Sequence, residues 1–196
     1  KRTEAVIAFS KMAAPSTRSI LAEIATAEGD MPSRIRAAEA IGGDHDHKDA
    51  LMGLIGHEDD GLRAAAAAGL GGHKDKKIVD ALINVATTDK VGEVRAAALV
   101  AVKQSGSSKA QDMVCTAMIE DDSPAVREAA VRTFKGTRRD SAVKCLRDKA
   151  FKEEPEASVR DALLAVLKSS PNDNAALVLC DAIPFWMRTY VKDDIP

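Results

Sequence analysis

The sequence predicts an all-α fold, and more specifically an α-solenoid of about six antiparallel helix pairs. Three observations lead to this prediction. One phrase recurs roughly every 30 residues, its apolar residues follow helical spacing, and valine and isoleucine stand beside alanine rather than in the alternating pattern of a strand. Units of this period bury their apolar faces against their neighbours in the chain.

The recurring phrase starts with acidic or serine residues and then places one arginine ahead of an alanine-rich run. Its five copies begin at Asp30, Glu58, Asp89, Asp121 and Glu154. The marker arginines, spaced 27, 32, 32 and 33 residues apart, are Arg36, Arg63, Arg95, Arg127 and Arg160. The short first interval predicts a shortened second helix near Gly53.

Each phrase has the features of a helix with defined ends. Its acidic or serine residue can accept a hydrogen bond from the free N–H groups of the first turn. Prolines suited to a first turn are Pro32, Pro124 and Pro155. The glycines predicted to end several of these helices are Gly42, Gly71 and Gly136.

A second helical pattern follows each phrase. These second helices are predicted at residues 16–27, 47–55, 76–86, 109–119, 141–151 and 174–190. With a first helix over 4–12, the predicted pairs form one repeat array over 1–196 and lie near 1–28, 30–56, 58–88, 89–120, 121–152 and 154–190. The chain begins at Lys1 rather than at methionine, which is compatible with a longer parent sequence.

Composition narrows the classes of function. A formal net charge of -2 gives no overall attraction to nucleic acid or to an anionic membrane. No apolar run approaches the length of about 18 residues that a membrane span needs, and no secretory signal is visible, so a cytoplasmic location is expected. Cys115, Cys145 and Cys180 lack the short spacing of a zinc site, and we expect buried, reduced thiols.

The pattern of an acid, an arginine and alanines that end in leucine and glycine resembles HEAT-like repeats of the phycobilisome-lyase type. The best matches are residues 30–42, 58–71, 89–99 and 121–130. The resemblance implies a HEAT-like superhelix with phrase helices on the convex side and second helices on the concave side. It also implies that the arginine and the acid bond between adjacent repeats, so the five marker arginines are expected to be structural inter-repeat residues.

Charged residues occupy equivalent positions on successive second helices. Aligning these helices gives Arg18, Asp49, Asp80, Asp112 and Lys144, at steps of 31, 31, 32 and 32 residues. A groove lined by them would be acidic in its middle and basic at its ends, and would suit a basic or mixed-charge segment of a protein partner. The alternative is a solvated face whose charges alternate by chance. The last four of these residues are candidates for partner binding.

The last segment is richer in aromatic residues than the rest of the chain, because it contains Phe185, Trp186 and Tyr190. Pro184 is predicted to bend or restart the helix there. The aromatic residues would either cap the terminal repeat or anchor a protein partner or a following domain.

Two predicted loops contain histidines. The segment "GGDHDHKD" supplies His45 and His47, and "GGHKDKK" supplies His73 one repeat later. Three histidines side by side could bind zinc or nickel. Polar surface loops commonly accumulate histidine, aspartate and lysine, however, and we expect no metal here.

Three hypotheses of function follow. No nucleophile elbow, phosphate loop or metal-binding helix motif is present, so we expect no catalytic residue and no cofactor. The first hypothesis is a non-catalytic protein–protein interaction scaffold, which could be a subunit of a larger assembly. The resemblance gives a bilin lyase or isomerase acting on phycobiliproteins as the alternative. A basic run over 132–152 gives a third, a nucleic-acid backbone binder, although it lacks the aromatic residues that base stacking requires.

Overall fold

The computed structural model describes residues 2–12, 14–150 and 152–190, with all their side chains except those of Arg2, Ser108 and residues 188–190. Within these residues it contains no strand and twelve α-helices: α1 (Arg2–Ser10), α2 (Pro15–Thr26), α3 (Met31–Ala40), α4 (Lys48–Leu54), α5 (Asp60–Gly69), α6 (Lys76–Thr88), α7 (Gly92–Gln104), α8 (Ser108–Glu120), α9 (Pro124–Arg132), α10 (Asp140–Ala150), α11 (Ala157–Ser169) and α12 (Asp173–Tyr190). The all-α fold class predicted from the repeat is confirmed.

The chain divides into two compact units, Lys1–Ala110 and Gln111–Pro196. In the first unit, the phrase helices α1, α3, α5 and α7 pack one on the next, and the second helices α2 and α4 contact each other beside them. In the second unit, α9 packs on α11 and α10 packs on α12. Within each unit, these helices therefore meet their equivalents in the next repeat, as in a solenoid. A single array over 1–196 stays a prediction.

The second repeat has the short second helix that the sequence predicts. A 3₁₀ turn over His45–His47 leads into α4, which has only 7 residues. The turn begins at Asp44, whose side chain accepts a hydrogen bond from the N–H of Asp46. Asp44 thus caps the 3₁₀ turn that precedes α4.

Glycines with positive φ follow four phrase helices: Gly43, Gly72, Gly106 and Gly136. The left-handed conformation that ends a helix costs glycine little, because it has no Cβ. Gly136 is the residue that the sequence predicts for this role. In the two Gly-Gly pairs, however, the left-handed residue is the second glycine and not Gly42 or Gly71.

Small side chains bring the helices close together. Ala66, Ala98 and Ala130 are completely buried, beside buried leucines such as Leu62 and Leu99. Helices packed through alanine need few large aromatic side chains to fill the space between them. This explains how the chain forms a core with only 3% aromatic residues.

The last helix, α12, continues through Pro184 without a break, so the predicted restart is wrong. The indole N–H of Trp186 donates a hydrogen bond of 2.8 Å to the carbonyl oxygen of Ala150, the last residue of α10. This bond satisfies one of the carbonyl groups that every helix leaves unpaired at its C-terminus. The contacts that α12 makes with α10 and α11 hold it in place across the proline.

Cys115 and Cys145 form a disulfide between α8 and α10 in the second unit, so the expectation of reduced thiols is wrong for these two. The cysteines are 30 residues apart, which is one repeat, and their Cα atoms lie 5.7 Å apart. Residues one repeat apart on adjacent second helices face each other, which brings the two sulfur atoms within bonding distance. The remaining thiol, Cys180, is exposed rather than buried.

None of the helices in the described part of the chain combines the length and apolar character that crossing a bilayer requires.

Candidate functional site

Arg63 connects two repeats of the first unit. It lies on α5, and its Nε and Nη2 donate to the two carboxylate oxygens of Asp89, the residue that ends α6, at 2.8 and 3.1 Å. Its Nη1 donates to the carbonyl oxygens of His57 and Glu58. Both partners of the ion pair are buried, with 8% and 9% of their side chains exposed. The pair raises the pKa of Arg63 and lowers the pKa of Asp89.

Arg127 makes the corresponding contact in the second unit. Its Nε and Nη2 donate to the carboxylate of Glu154, and its Nη1 donates to the carbonyl oxygens of Asp121 and Asp122. The ammonium group of Lys149 bonds to the same carboxylate, and only 2% of the Lys149 side chain is exposed. Burial alone would raise the pKa of Glu154, but the bonds from Arg127 and Lys149 lower it to about 2.

A shared geometry places these arginines. Each lies four residues after the residue that caps its helix, and each donates to carbonyl groups five or six residues earlier in the chain. Arg95 and Arg160 follow the same rule, through the carbonyl oxygens of Asp89 and of Glu154 and Pro155. Because the guanidinium group has five donors in one plane, it can satisfy these carbonyls and still bind a carboxylate.

The assignment of Arg36 to this set is wrong. Arg36 is exposed and bonds to Glu39 of its own helix. The equivalent residue is Arg34, which follows the capping residue Asp30 by four positions and is 8% exposed. Arg34 donates to the carbonyl oxygen of Ala25, and its Nη2 lies 3.4 Å from Nε2 of His57. His57 stands where later repeats carry an acid, so an acid-based pattern misses this pair.

The two histidine loops meet, as their spacing suggests. The rings of His45 and His73 lie edge to face with their centroids 4.6 Å apart. His47 bonds instead to Asp44 through Nδ1 and lies within 3.4 Å of the hydroxyl of Ser19. Among the described residues, no three histidine, cysteine or acidic side chains are grouped closely enough to hold a metal ion.

The burial of His73 predicts a dependence of stability on pH. Burial lowers the pKa of His73 below 6.5, the nearby charges of His45 and Lys48 lower it further, and Asp75 opposes them weakly. The unfolded chain therefore binds a proton more readily, and the unfolding free energy should fall as the pH drops below 6.5. In urea titrations at about pH 7.5 and about pH 5.5, His73→Leu should lose part of this decrease. An unchanged decrease would contradict the prediction.

The five charged residues aligned on the second helices are all exposed, but two of them, Arg18 and Asp80, form ion pairs. Arg18 donates to Asp44 at 2.9 Å, which together with the N–H of Asp46 lowers the pKa of Asp44 to about 2. Lys76 donates to Asp80 at 2.6 Å. Asp49 and Asp112 are exposed to solvent. Of the three carboxylates predicted to form an acidic middle, Asp80 is therefore paired with Lys76, and the acidic groove stays a prediction.

Lys144 lines an open groove between α10 and α12 with a volume of about 540 Å³. The apolar part of the groove comes from Val143, Leu177 and Val178, and 62% of Leu177 is exposed. Its charged residues are of both signs: Lys144, Arg147, Asp140 and Asp181. Asp140 is held by the side-chain amides of Asn172 and Asn174, which fixes one wall.

A second groove lies in the first unit, between the starts of α6 and α8. Asp80 lines it together with three lysines, which are Lys74, Lys76 and Lys109. Both grooves thus lie on second helices, and each contains one of the candidate partner-binding residues. The sequence alignment identified these two residues but not the neighbours that decide the local charge.

The basic run divides into residues of different roles. Lys149 is buried against Glu154, and Arg132 bonds to Glu128 on its own helix. Arg138 and Arg139 are exposed in the loop before α10. This distribution leaves the nucleic-acid hypothesis as a prediction.

The aromatic residues at the end are half buried where the structure describes them. Phe185 and Trp186 lie on α12, and the bond from Trp186 to Ala150 favours the cap interpretation for that residue. The side chain of Tyr190 lies outside the described residues.

Comparison with protein families gives one match. The model of HEAT repeats matches residues 19–103, 48–118 and 79–168, which together span more than half of the chain. A comparison with curated proteins gives no match. The repeating helix pairs and the family match agree, and the chain belongs to the HEAT repeat family.

Proposed function

We propose that this chain is a non-catalytic protein-interaction module that holds a segment of a partner protein in the grooves between adjacent second helices. Family membership supports interaction with proteins as the general role. The observation that carries the proposal is the groove between α10 and α12, where 62% of Leu177 is exposed between charged walls. An apolar floor with a few charged groups around it is the usual form of a peptide-binding groove.

The charges of this groove indicate the kind of segment. Lys144 and Arg147 offer cationic donors, while Asp181 offers an acceptor. Residues of both signs orient a bound segment and exclude segments of a single sign, because a like charge at either wall is repelled. A segment with one apolar side chain flanked by charges of both signs fits this groove best, in agreement with the mixed-charge partner expected from the sequence.

The experiment is a selection of short peptides from a random displayed library on the intact chain. Selected peptides should combine one apolar side chain with charges of both signs. Leu177→Asp should weaken their binding by about tenfold or more, because it places a charge where the apolar side chain is buried. Affinity can be measured by fluorescence polarisation.

Ala176→Asp is the matched control. It introduces the same charge on the neighbouring exposed residue of α12, which does not line the groove. Binding should then stay close to that of the unmodified chain. Peptides that bind Leu177→Asp as well as the unmodified chain would show that the groove is not the site.

The narrower alternatives keep the status of predictions. The phycobilisome-lyase type and its bilin chemistry rest on the resemblance alone. A cytoplasmic location is likewise a prediction, and the Cys115–Cys145 disulfide weighs against it, since disulfides persist mainly in oxidising compartments. Membership of a larger assembly follows from neither groove.

A further inference from the structure

The groove in the first unit is built from two separate segments of the chain, residues 74–80 and 105–109. Lys74 precedes α6, Lys76 and Asp80 lie on its first turns, and Lys109 lies on the first turn of α8. The turn over residues 105–107 forms the remaining wall, and the groove has a volume of about 350 Å³. All of these residues belong to the same compact unit.

The charges in this groove are predominantly positive. Three ammonium groups face one carboxylate, and that carboxylate, Asp80, is already bonded to Lys76. The bond from Lys76 lowers the pKa of Asp80, and the charge of Lys109 adds to the effect. Lys74 and Lys109 have no ion-pair partner among the described residues, so two cationic groups in the groove are left without a counter-charge.

The turn over residues 105–107 adds a wall of fixed shape to the groove. The hydroxyl of Ser105 donates to the carbonyl oxygen of Val102 at 2.6 Å and accepts the N–H of Ser107, which holds the turn in place. Gly106 has a φ of 72° and carries no side chain that would narrow the groove.

From this juxtaposition we propose that the groove between α6 and α8 binds an oxyanion on an acidic segment of the protein partner, either a phosphorylated serine or a pair of glutamates. The inference deepens the proposed function, on which it rests, by naming the chemistry that the first unit recognises. The sequence predicts a basic partner segment at Asp80, but an acidic segment fits this groove better, because three lysines line it and only one carboxylate does. Lysine is a common ligand of phosphate and carboxylate groups, which it binds as a point charge.

The test uses fluorescein-labelled peptides of equal length in an alanine and glycine background, with the intact chain. One peptide carries a phosphoserine, the second a pair of glutamates and the third a pair of lysines. We expect the first or the second peptide to bind, the third not to bind, and binding to weaken with added salt. Comparing the first two distinguishes a phosphate ligand from a carboxylate ligand.

Lys74→Glu combined with Lys109→Glu should weaken binding by about tenfold or more, because both free cations are reversed. The matched control is a pair of changes away from the groove, Lys77→Glu with Lys90→Glu, which reverses the same charge on exposed lysines of the same unit. Equal losses in both double variants, no loss in the first, or no binding of either acidic peptide to the unmodified chain would overturn the inference. Leu177→Asp should leave this binding intact, so failure here is distinguishable from failure of the groove between α10 and α12.

Discussion

Replacing Glu154 by glutamine should destabilise the second unit by about 3 to 5 kcal/mol. The carboxylate of Glu154 accepts bonds from Arg127 and Lys149, and both it and Lys149 are almost completely buried. Glutamine keeps the shape of the side chain but removes the negative charge. The ammonium group of Lys149 would then be buried without a counter-charge. Urea unfolding followed by circular dichroism measures the effect.

Glu153→Gln is the control for this change. Glu153 is the exposed neighbour of Glu154, and its replacement should alter stability by no more than about 0.5 kcal/mol. Adding Lys149→Met to the Glu154→Gln variant should recover part of the loss, because the unpaired charge is then absent. A loss of equal size in the two glutamine variants would show that the buried cluster does not stabilise the unit.

The same cluster predicts how the difference between the unmodified chain and Glu154→Gln depends on pH. The pKa of Glu154 is about 2 in the folded chain, against 4.5 for an ordinary glutamate. A carboxylate with a lowered pKa stabilises the folded state above its unfolded pKa, and this stabilisation is lost as the pH falls towards the folded value. The difference in unfolding free energy should therefore be constant above about pH 5.5 and narrow between about pH 4.5 and pH 2.

Arg63→Ala should destabilise the first unit by about 3 kcal/mol or more, because it leaves Asp89 buried without its cation. It also removes the donors for the carbonyl oxygens of His57 and Glu58. Both side chains of the ion pair are less than one tenth exposed, so the Arg63 bonds are the main compensation for the buried charge of Asp89. Chemical unfolding should show a lower midpoint for this variant.

Arg36→Ala is the informative comparison, since the sequence pattern places Arg36 and Arg63 in one class. Arg36 is exposed and paired only with Glu39, a contact of the kind that contributes less than about 1 kcal/mol. Arg34→Ala, in contrast, should destabilise the unit more than Arg36→Ala, because Arg34 is buried and donates to the carbonyl oxygen of Ala25. Equal midpoints for Arg36→Ala and Arg63→Ala would contradict the assignment of the inter-repeat position.

The contacts of Arg63 and Arg127 show what a repeat pattern can predict. In both phrases the arginine follows an apolar residue of the packed face, and an acid stands about one repeat later. The first phrase contains two arginines, however, and aligning on the alanines selects Arg36. The distance from the helix cap selects Arg34, and this distance becomes visible only once the helix start is known. Replacement of the acid by His57 removes the remaining signal.

The disulfide and the lysine groove were missed for a related reason. Cys115 and Cys145 are 30 residues apart, close to one repeat, and they come together only when α8 and α10 lie side by side. The lysines of the groove come from two segments of the chain, whereas an alignment of second helices compares one residue from each helix. Such an alignment predicts a negatively charged surface at Asp80, whereas the three neighbouring lysines make the groove predominantly positive.

The amino-acid sequence alone predicted the all-α fold, the repeated helix pairs, and the bounds of the second helices to within two residues. These properties depend on local spacing, capping residues and the repeat period, all of which are visible in the order of the residues. The partners of the buried charges, the disulfide and the charge of each groove were decided by packing, because they join residues from different repeats. That packing decides whether a charged side chain forms an ion pair with a neighbour or faces the solvent.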